Sequence, residues 1–420
     1  MSKDKLIPEM RFPEFKTEGE WEFNELGEIS EIVRGGSPRP IQDFLTTSDN
    51  GLNWLKIADV PSDSKYITDT KEKVIKEALS STREVNIGDL ILSNSMSFGR
   101  PYILKIKTCI HDGWIAIRKI SKVTFEDYLY YFISSESSQS YFNSNAAGAA
   151  VKNLNADIIK LLPIHYPSNK KEQQKIASCL SSLDDLIEAH SQKLDLLKEH
   201  KKGLMQNLFP QEGEKVPKYR FSEFRKDGIW AEKLLDEAAT ILKGKGISKA
   251  DIIEDGNLPC IRYGELYTHY NETINTVKSY TNSNPEELVL SKANDVIIPA
   301  SGETQIDIAT ASCVLESGIA LGGDLNIIRS KINGVFLSYY LNNAKKHDIA
   351  QMAQGIAVVH LYPNQLKTLQ LQIPSPKEQV KIAFCLSALE ELITTQTEKI
   401  EQLKLHKKGL MQGLFPKIID

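Results

Sequence analysis

Several loops of this chain gather the side chains best suited to directional hydrogen bonding. "RGGSPR" at 34–39 supplies Arg34, Ser37 and Arg39; "SNSMSFGR" at 93–100 supplies Asn94, Ser95, Ser97 and Arg100; Lys152 and Asn153 follow in "AAGAAVKNL". In the second half, Lys243 and Lys245 stand in "KGKG", Arg262 and Tyr263 in "CIRYG", Ser301, Thr304 and Gln305 in "SGETQ", and His360 in "AVVHL". These are donors and acceptors on glycine-punctuated turns, and the pattern suits recognition of a polar surface better than bond making.

The motifs that would indicate catalysis are missing. "KGKGISK" lacks the spacing of a nucleotide-binding P-loop, there is no HExxH, and the five cysteines include no CxxC pair. The short "EHK" at 199–201 lies on a helical seam, where such a fragment arises by chance. The expectation is a chain without catalytic residues of its own, without a bound metal and with reduced thiols. "MSKDKLIPEM" contains no apolar stretch of signal-peptide length and no segment approaches the ~20 apolar residues of a membrane span, so a cytoplasmic location is expected.

The elements that must position these loops are written twice. "KEQQKIASCLSSLDDLIEAHSQKLDLLKEHKKGLMQNLFP" (171–210) returns as "KEQVKIAFCLSALEELITTQTEKIEQLKLHKKGLMQGLFP" (377–416), and twenty-five of the forty positions are identical. The opening "IPEMRFPEFKTEGEW" (7–21) returns as "VPKYRFSEFRKDGIW" (216–230). Each half therefore begins and ends alike, as a tandem duplication does.

The repeated segment carries a heptad seam. Ile176, Leu180, Leu183, Ile187, His190, Leu194, Leu197, Lys201, Leu204 and Leu208 are spaced alternately four and three apart. So are Ile382, Leu386, Leu389, Ile393, Gln396, Ile400, Leu403, Lys407, Leu410 and Leu414. That spacing predicts two coiled-coil helices. Asn169 before Glu172, and Ser375 with Pro376 before Glu378, read as capping boxes at their starts, and Pro210 and Pro416 mark their ends. A helix of about 38 residues rises roughly 57 Å, far beyond the needs of one small domain. The two seams most simply pack antiparallel on each other under a pseudo-twofold, with His190 opposite Ile400 and Gln396 opposite Leu194. The polar seam residues then set register, and Lys201 and Lys407 snorkel or meet a partner subunit.

Between the helices the chain is different in kind. "LNWLKIADV", "IGDLILSNS", "YILKIKTCI" and "GWIAIRKI" read as strands, and "FEDYLYYFISSESSQSYF" (125–142) with its counterpart "VFLSYYLNNAKKHDIAQM" (335–352) as helices with an aromatic face. An α+β globule per half is expected. The frames "GDLILSNSMSFGR" and "NDVIIPASGETQI" match while the loops diverge.

Taken together, the helix entries "PSNKKEQQKIASCL" and "PSPKEQVKIAFCL", the endings "KKGLMQNLFP" and "KKGLMQGLFP", the openings "RFPEF" and "RFSEF", and "VRGGSP" resemble the specificity subunit of type I restriction-modification systems, over the whole chain. The resemblance implies two target recognition domains, 1–168 and 211–374, held apart by a central helix (169–210) and a distal helix (375–420). It implies a split double-stranded DNA target, two modification subunits methylating adenine from S-adenosylmethionine, and two restriction subunits that use ATP and Mg2+ to cut. On that reading the loop residues named above contact DNA: arginine suits guanine, asparagine and glutamine suit adenine, and lysine suits phosphate. Among the residues it is the net charge of −4 that fits worst, because a nucleic-acid-binding domain is usually basic. Residues 83–122, with seven Lys or Arg against three acids, are a basic stretch on this acidic chain. A coiled-coil adaptor whose globules bind proteins or small ligands is the alternative.

Overall fold

The computed structural model describes residues 7–61, 64–94, 98–146, 154–355 and 358–416. The chain divides into two compact units: Met1–Ser191 with Lys399–Asp420, and Gln192–Glu398. The two long helices, Lys170–Leu208 and Pro376–Leu414, each contribute to both.

In the first unit the apolar runs become strands because their buried faces close a common core. Glu31–Arg34, Trp114–Arg118, Leu90–Ser93, Pro101–Leu104 and Tyr66–Ile67 form one five-stranded sheet in that order, and Leu45–Thr46, Glu72–Val74, Leu52–Leu55, Thr108–Ile110 and Arg83–Val85 form another. "YILKIKTCI" thus supplies strands to both sheets rather than one continuous strand. The aromatic stretch is two helices, Glu126–Ser134 and Glu136–Asn145, broken at Ser135, whose hydroxyl accepts from the Ser138 amide at 3.4 Å and caps the second.

The second unit repeats the plan. Ala239–Lys243, Leu325–Ser330, Asp295–Pro299, Ser312–Val314 and Thr273–Ile274 form its five-stranded sheet, and Ser279–Thr281, Leu258–Ile261 and Ala320–Leu321 a three-stranded one. Helices Gly334–Asn343 and Lys346–Met352 take the place of the aromatic pair. In each unit the opening and closing strands pair antiparallel, Glu22 against Tyr166 and Ala231 against Ile373, so the ends of a globule meet at the base of a long helix.

The duplicated termini have a physical cause. Phe415, near the end of the second long helix, sits against Phe132 and Tyr128 at 5.6 and 5.8 Å between ring centroids, in the core that holds Ile176, Ala177 and Leu180. Phe209, at the end of the first, sits against Tyr340 and Phe336 at 5.6 and 5.7 Å, in the core that holds Ile382, Ala383 and Leu386. Within each unit, therefore, the start of one long helix packs on the end of the other, which is antiparallel packing. The openings join the same knots: the Met10 amide donates to the Gly413 carbonyl and the Tyr219 amide to the Asn207 carbonyl, both at 2.8 Å.

Two expectations are corrected here. The caps form by half: the Ser375 hydroxyl accepts from the Glu378 amide at 3.4 Å and the Asn169 side chain from the Lys171 amide at 3.0 Å, but the entry carboxylates bind arginine instead of completing a box. Glu172 accepts both Nε and Nη2 of Arg11, at 2.7 and 2.8 Å, and Glu378 accepts the same pair from Arg220, at 2.8 and 2.7 Å. A bidentate guanidinium satisfies a carboxylate better than one backbone amide does, and each arginine also donates to two loop carbonyls, those of Glu18 and Gly19 or of Asp227 and Gly228. The neighbouring Gln173 and Gln379 tie the helix start to the carbonyls of Pro167 and Pro374.

The seam lysines are the second correction. They do not snorkel outward but are held inside their units. Lys201 donates to Glu390 at 2.6 Å and to Glu272 at 3.0 Å, and Lys407 donates to Asp184. Burial works to lower the Lys201 ammonium, but the two glutamates outweigh it and hold its pKa above the usual lysine range. The other seam residues behave as their spacing predicts: Ile176, Leu180, Ile382, Leu386, Leu389, Ile393, Gln396, Ile400 and Leu403 are buried, and Leu183, Ile187, His190, Leu194 and Leu197 half-buried.

Candidate nucleic-acid interface

In the first unit, four of the predicted residues converge on one turn, His111–Gly113, between the strands Thr108–Ile110 and Trp114–Arg118. Arg34 Nε donates to the Asp112 carbonyl at 3.1 Å, and the Asn94 side-chain amide donates to the same carbonyl at 3.2 Å. The Ser37 hydroxyl donates to Asp112 Oδ1 at 2.9 Å, Arg39 Nη2 stands 3.7 Å from Oδ2, and His111 Nε2 is 3.0 Å from Oδ1. Burial pushes the Asp112 carboxyl up, yet the Ser37 hydrogen bond and the charges of His111, Arg39 and Arg34 prevail, and it sits below the ordinary carboxylate range.

Glycine makes this convergence possible. A Cβ on Gly35 would lie 2.2 Å from the His111 carbonyl oxygen, so only glycine lets the two loops touch. The outcome differs along the list. Arg34 and Arg39 are exposed, Asn94 is only 6% exposed with its amide engaged, and Arg100 is half-buried with its guanidinium 5.4 Å from the Tyr102 ring centroid. Ser95, Ser97, Lys152 and Asn153 lie outside the described residues.

The second unit builds its loops on the same frame. A Cβ on Gly244 would meet the Gly322 carbonyl oxygen at 1.9 Å, the Lys245 amide donates to the Leu321 carbonyl, and the Gly322 amide to the Ile261 carbonyl, both at 2.9 Å. Lys243, Lys245, Arg262 and Tyr263 thus flank one turn, 322–324, that corresponds to 111–113. Lys243 and Lys245 are exposed, whereas Arg262 leans on Glu265, with Nε 3.4 Å from Oε1. Ser301 is buried in a two-stranded pair with His360, whose exposed ring stacks on Tyr362 at 6.1 Å. Thr304 caps a short helix, its hydroxyl accepting from the Asp307 amide at 3.1 Å, and Gln305 is exposed beside it.

The comparisons bear on what this frame is. A family model described as the type I restriction modification DNA specificity domain matches residues 18–199 and again 228–405. The chain belongs to that family. It is similar to the MjaVIII specificity subunit of Methanocaldococcus jannaschii, 24% identical over 97% of this chain and 93% of the relative, and to the MjaIX specificity subunit of the same organism, 23% identical over 95% and 93%. Among solved structures, the S subunit from M. genitalium matches with a TM-score of 0.63 at 14% identity, over 99% of this chain and 100% of that one. A chain solved for the complex assembly and conformational transition of a type I R-M system matches with a TM-score of 0.55 at 16% identity, over 95% and 98%.

This specificity subunit, then, has two target recognition domains and belongs to a family that is generally non-catalytic. Among its described residues, no group of three His, Cys, Asp or Glu is placed to hold a metal ion and no helix is long and apolar enough to cross a membrane. The basic stretch of residues 83–122 is not one patch. Arg118 and Lys119 both pair with Glu31, Lys107 pairs with Glu84, and Lys105 lies over the Tyr66 ring. Sequence reasoning missed the turns themselves. "HDGW" reads as an ordinary reverse turn, and the residues that give it meaning stand 75 and 78 positions away.

Proposed function

We propose that each target recognition domain reads one half of a split, asymmetric duplex DNA target, and that the paired helices set the separation of the halves. The reading rests on one observation: two similar frames carry unlike loops. Arg34, Ser37, Arg39 and His111 gather on Asp112 in one unit, while in the other the strand and loop backbones that carry Lys243, Lys245 and Arg262 approach a Gly-Gly-Asp turn. A true dimer must read a palindrome, because its two reading surfaces are the same; a duplicated chain with divergent loops is free of that constraint.

Exposed arginine is the side chain best matched to the O6 and N7 acceptors of guanine, and exposed lysine to phosphate. Two modification subunits seated along the helices would methylate adenines using S-adenosylmethionine, after flipping the base from a duplex that this chain holds in register. Two restriction subunits would use ATP and Mg2+ for cleavage. With a net charge of −4, the chain leaves most of the phosphate grip to its partners.

Reconstitution tests this reading. Mixed with its modification subunit, the chain confers adenine methylation confined to one split sequence, and alone it neither methylates nor cleaves. Equal sequence selectivity from the modification subunit without this chain contradicts the proposal.

A further inference from the structure

The two seam lysines sit where nothing about a coiled coil requires a charge. Positions 201 and 407 are heptad positions that leucine would fill, and replacing a buried ion pair by well-packed apolar side chains is often neutral or stabilising. Their surroundings explain the exception. In the second unit Lys201, on the first long helix, holds Glu390 on the second long helix and Glu272 on the globule, and its ammonium lies 5.4 Å from the centre of the Tyr339 ring. Asn271, also on the globule, donates to the other oxygen of Glu390 at 2.8 Å. All three charged side chains are 14 to 16% exposed.

In the first unit the same three bodies meet through different partners. Lys407, on the second long helix, holds Asp184 on the first, and lies 5.4 Å from the centre of the Tyr131 ring. The Tyr131 hydroxyl donates to Asp184 Oδ2 at 2.7 Å. The globule adds Lys65, 8% exposed, which reaches Asp127 at 2.7 Å, the Tyr131 hydroxyl at 3.2 Å and Ser181 of the first long helix at 3.5 Å. A lysine, an acid on the opposing helix and a globule tyrosine are common to both junctions. The globule further adds Glu272 and Asn271 to one junction, and the Lys65–Asp127 pair to the other.

Apolar packing holds surfaces together but tolerates sliding, whereas buried charge-assisted bonds are satisfied in one geometry only. We infer that Lys201 and Lys407 are positioning residues that hold each recognition domain at one angle to its helices, so that the two junctions fix which half-site separation the subunit accepts. The inference rests on the split-target reading above. It separates two properties of specificity: the loops select bases, and the junctions hold the domains to the spacing that the helices set.

The experiment uses the full chain in complex with its modification subunit, carrying K201M, K407M or, as a milder change, E272Q. Methylation rates are measured on duplexes whose mapped half-sites are separated by the native spacer, or by one base pair more or less. Wild-type complex discriminates sharply between spacers. In K201M and K407M the ratio of native to altered-spacer rates falls about tenfold; in E272Q it falls less, and in K201R it is retained, while the base sequence required in each half is unchanged. If E272Q and whichever methionine variants fold keep the wild-type ratio despite lower melting temperatures, the junctions serve stability alone and the inference is overturned. A wild-type complex that methylates without a split motif overturns the underlying reading instead.

Discussion

At the scale of single residues, two salt bridges carry more weight than the rest. Arg11 and Glu172 are 7% and 1% exposed, and Arg220 and Glu378 are 10% and 1% exposed; each pair is bidentate, and each arginine closes its opening loop through two further carbonyls. Removing one partner of such a pair strands a buried charge, so Arg220→Ala should destabilise its unit by about 3 kcal/mol or more in urea unfolding. Lys160→Ala, which breaks an exposed pair with Asp157, should leave the midpoint within about 0.5 kcal/mol. Equal effects of the two substitutions would contradict the clamp. None of this was legible locally. Glu172 stands three residues after Asn169, which is the spacing of a capping box, and its true partner is 161 positions away. The signal available was that "RF" openings and "KEQ" entries recur together in both halves, as partners do.

At the scale of elements, the heptad seams were legible because period 3.5 is a local property of sequence, and their buried positions follow the spacing. What the seams could not disclose was the destination of the helix ends. "LFP" reads as a terminus, yet Phe415 completes the core of a domain that begins some four hundred residues earlier, and Phe209 completes the other. The aromatic face of Glu126–Ser134 exists to receive it. Phe415→Ala should therefore cost about 3–5 kcal/mol, a figure typical of a buried aromatic. Hydrogen exchange should show protection lost in Glu126–Ser134 and kept in Gly334–Asn343. Loss in both helices would mean that the ends do not serve separate units. Among the loops, exposed Arg34, Arg39, Lys243 and Lys245 agree with a surface role. Asn94 and Ser301 are turned inward, because the Asn94 amide is held by the Asp112 carbonyl and Ser301 is paired with the strand that carries His360.

At the scale of the whole molecule, duplication reconciles a constant scaffold with variable reading. The openings, helix entries and helix ends are the parts each unit needs in order to close, and they are the parts that recur most clearly. The loops around 111–113 and 322–324 are free of that demand, and they differ in charge, size and donor type. On the proposed reading, the acidic total charge belongs to a chain that selects bases while others supply grip. The most direct test is single-molecule methylation mapping of DNA from a host without its own system, carrying this chain with its modification subunit, before and after residues 211–374 are exchanged for those of another family member. The account predicts a split motif with adenine methylated in each half, of which one half changes on exchange and the other is untouched. A motif that changes in both halves, or in neither, from a complex shown to assemble, would contradict it.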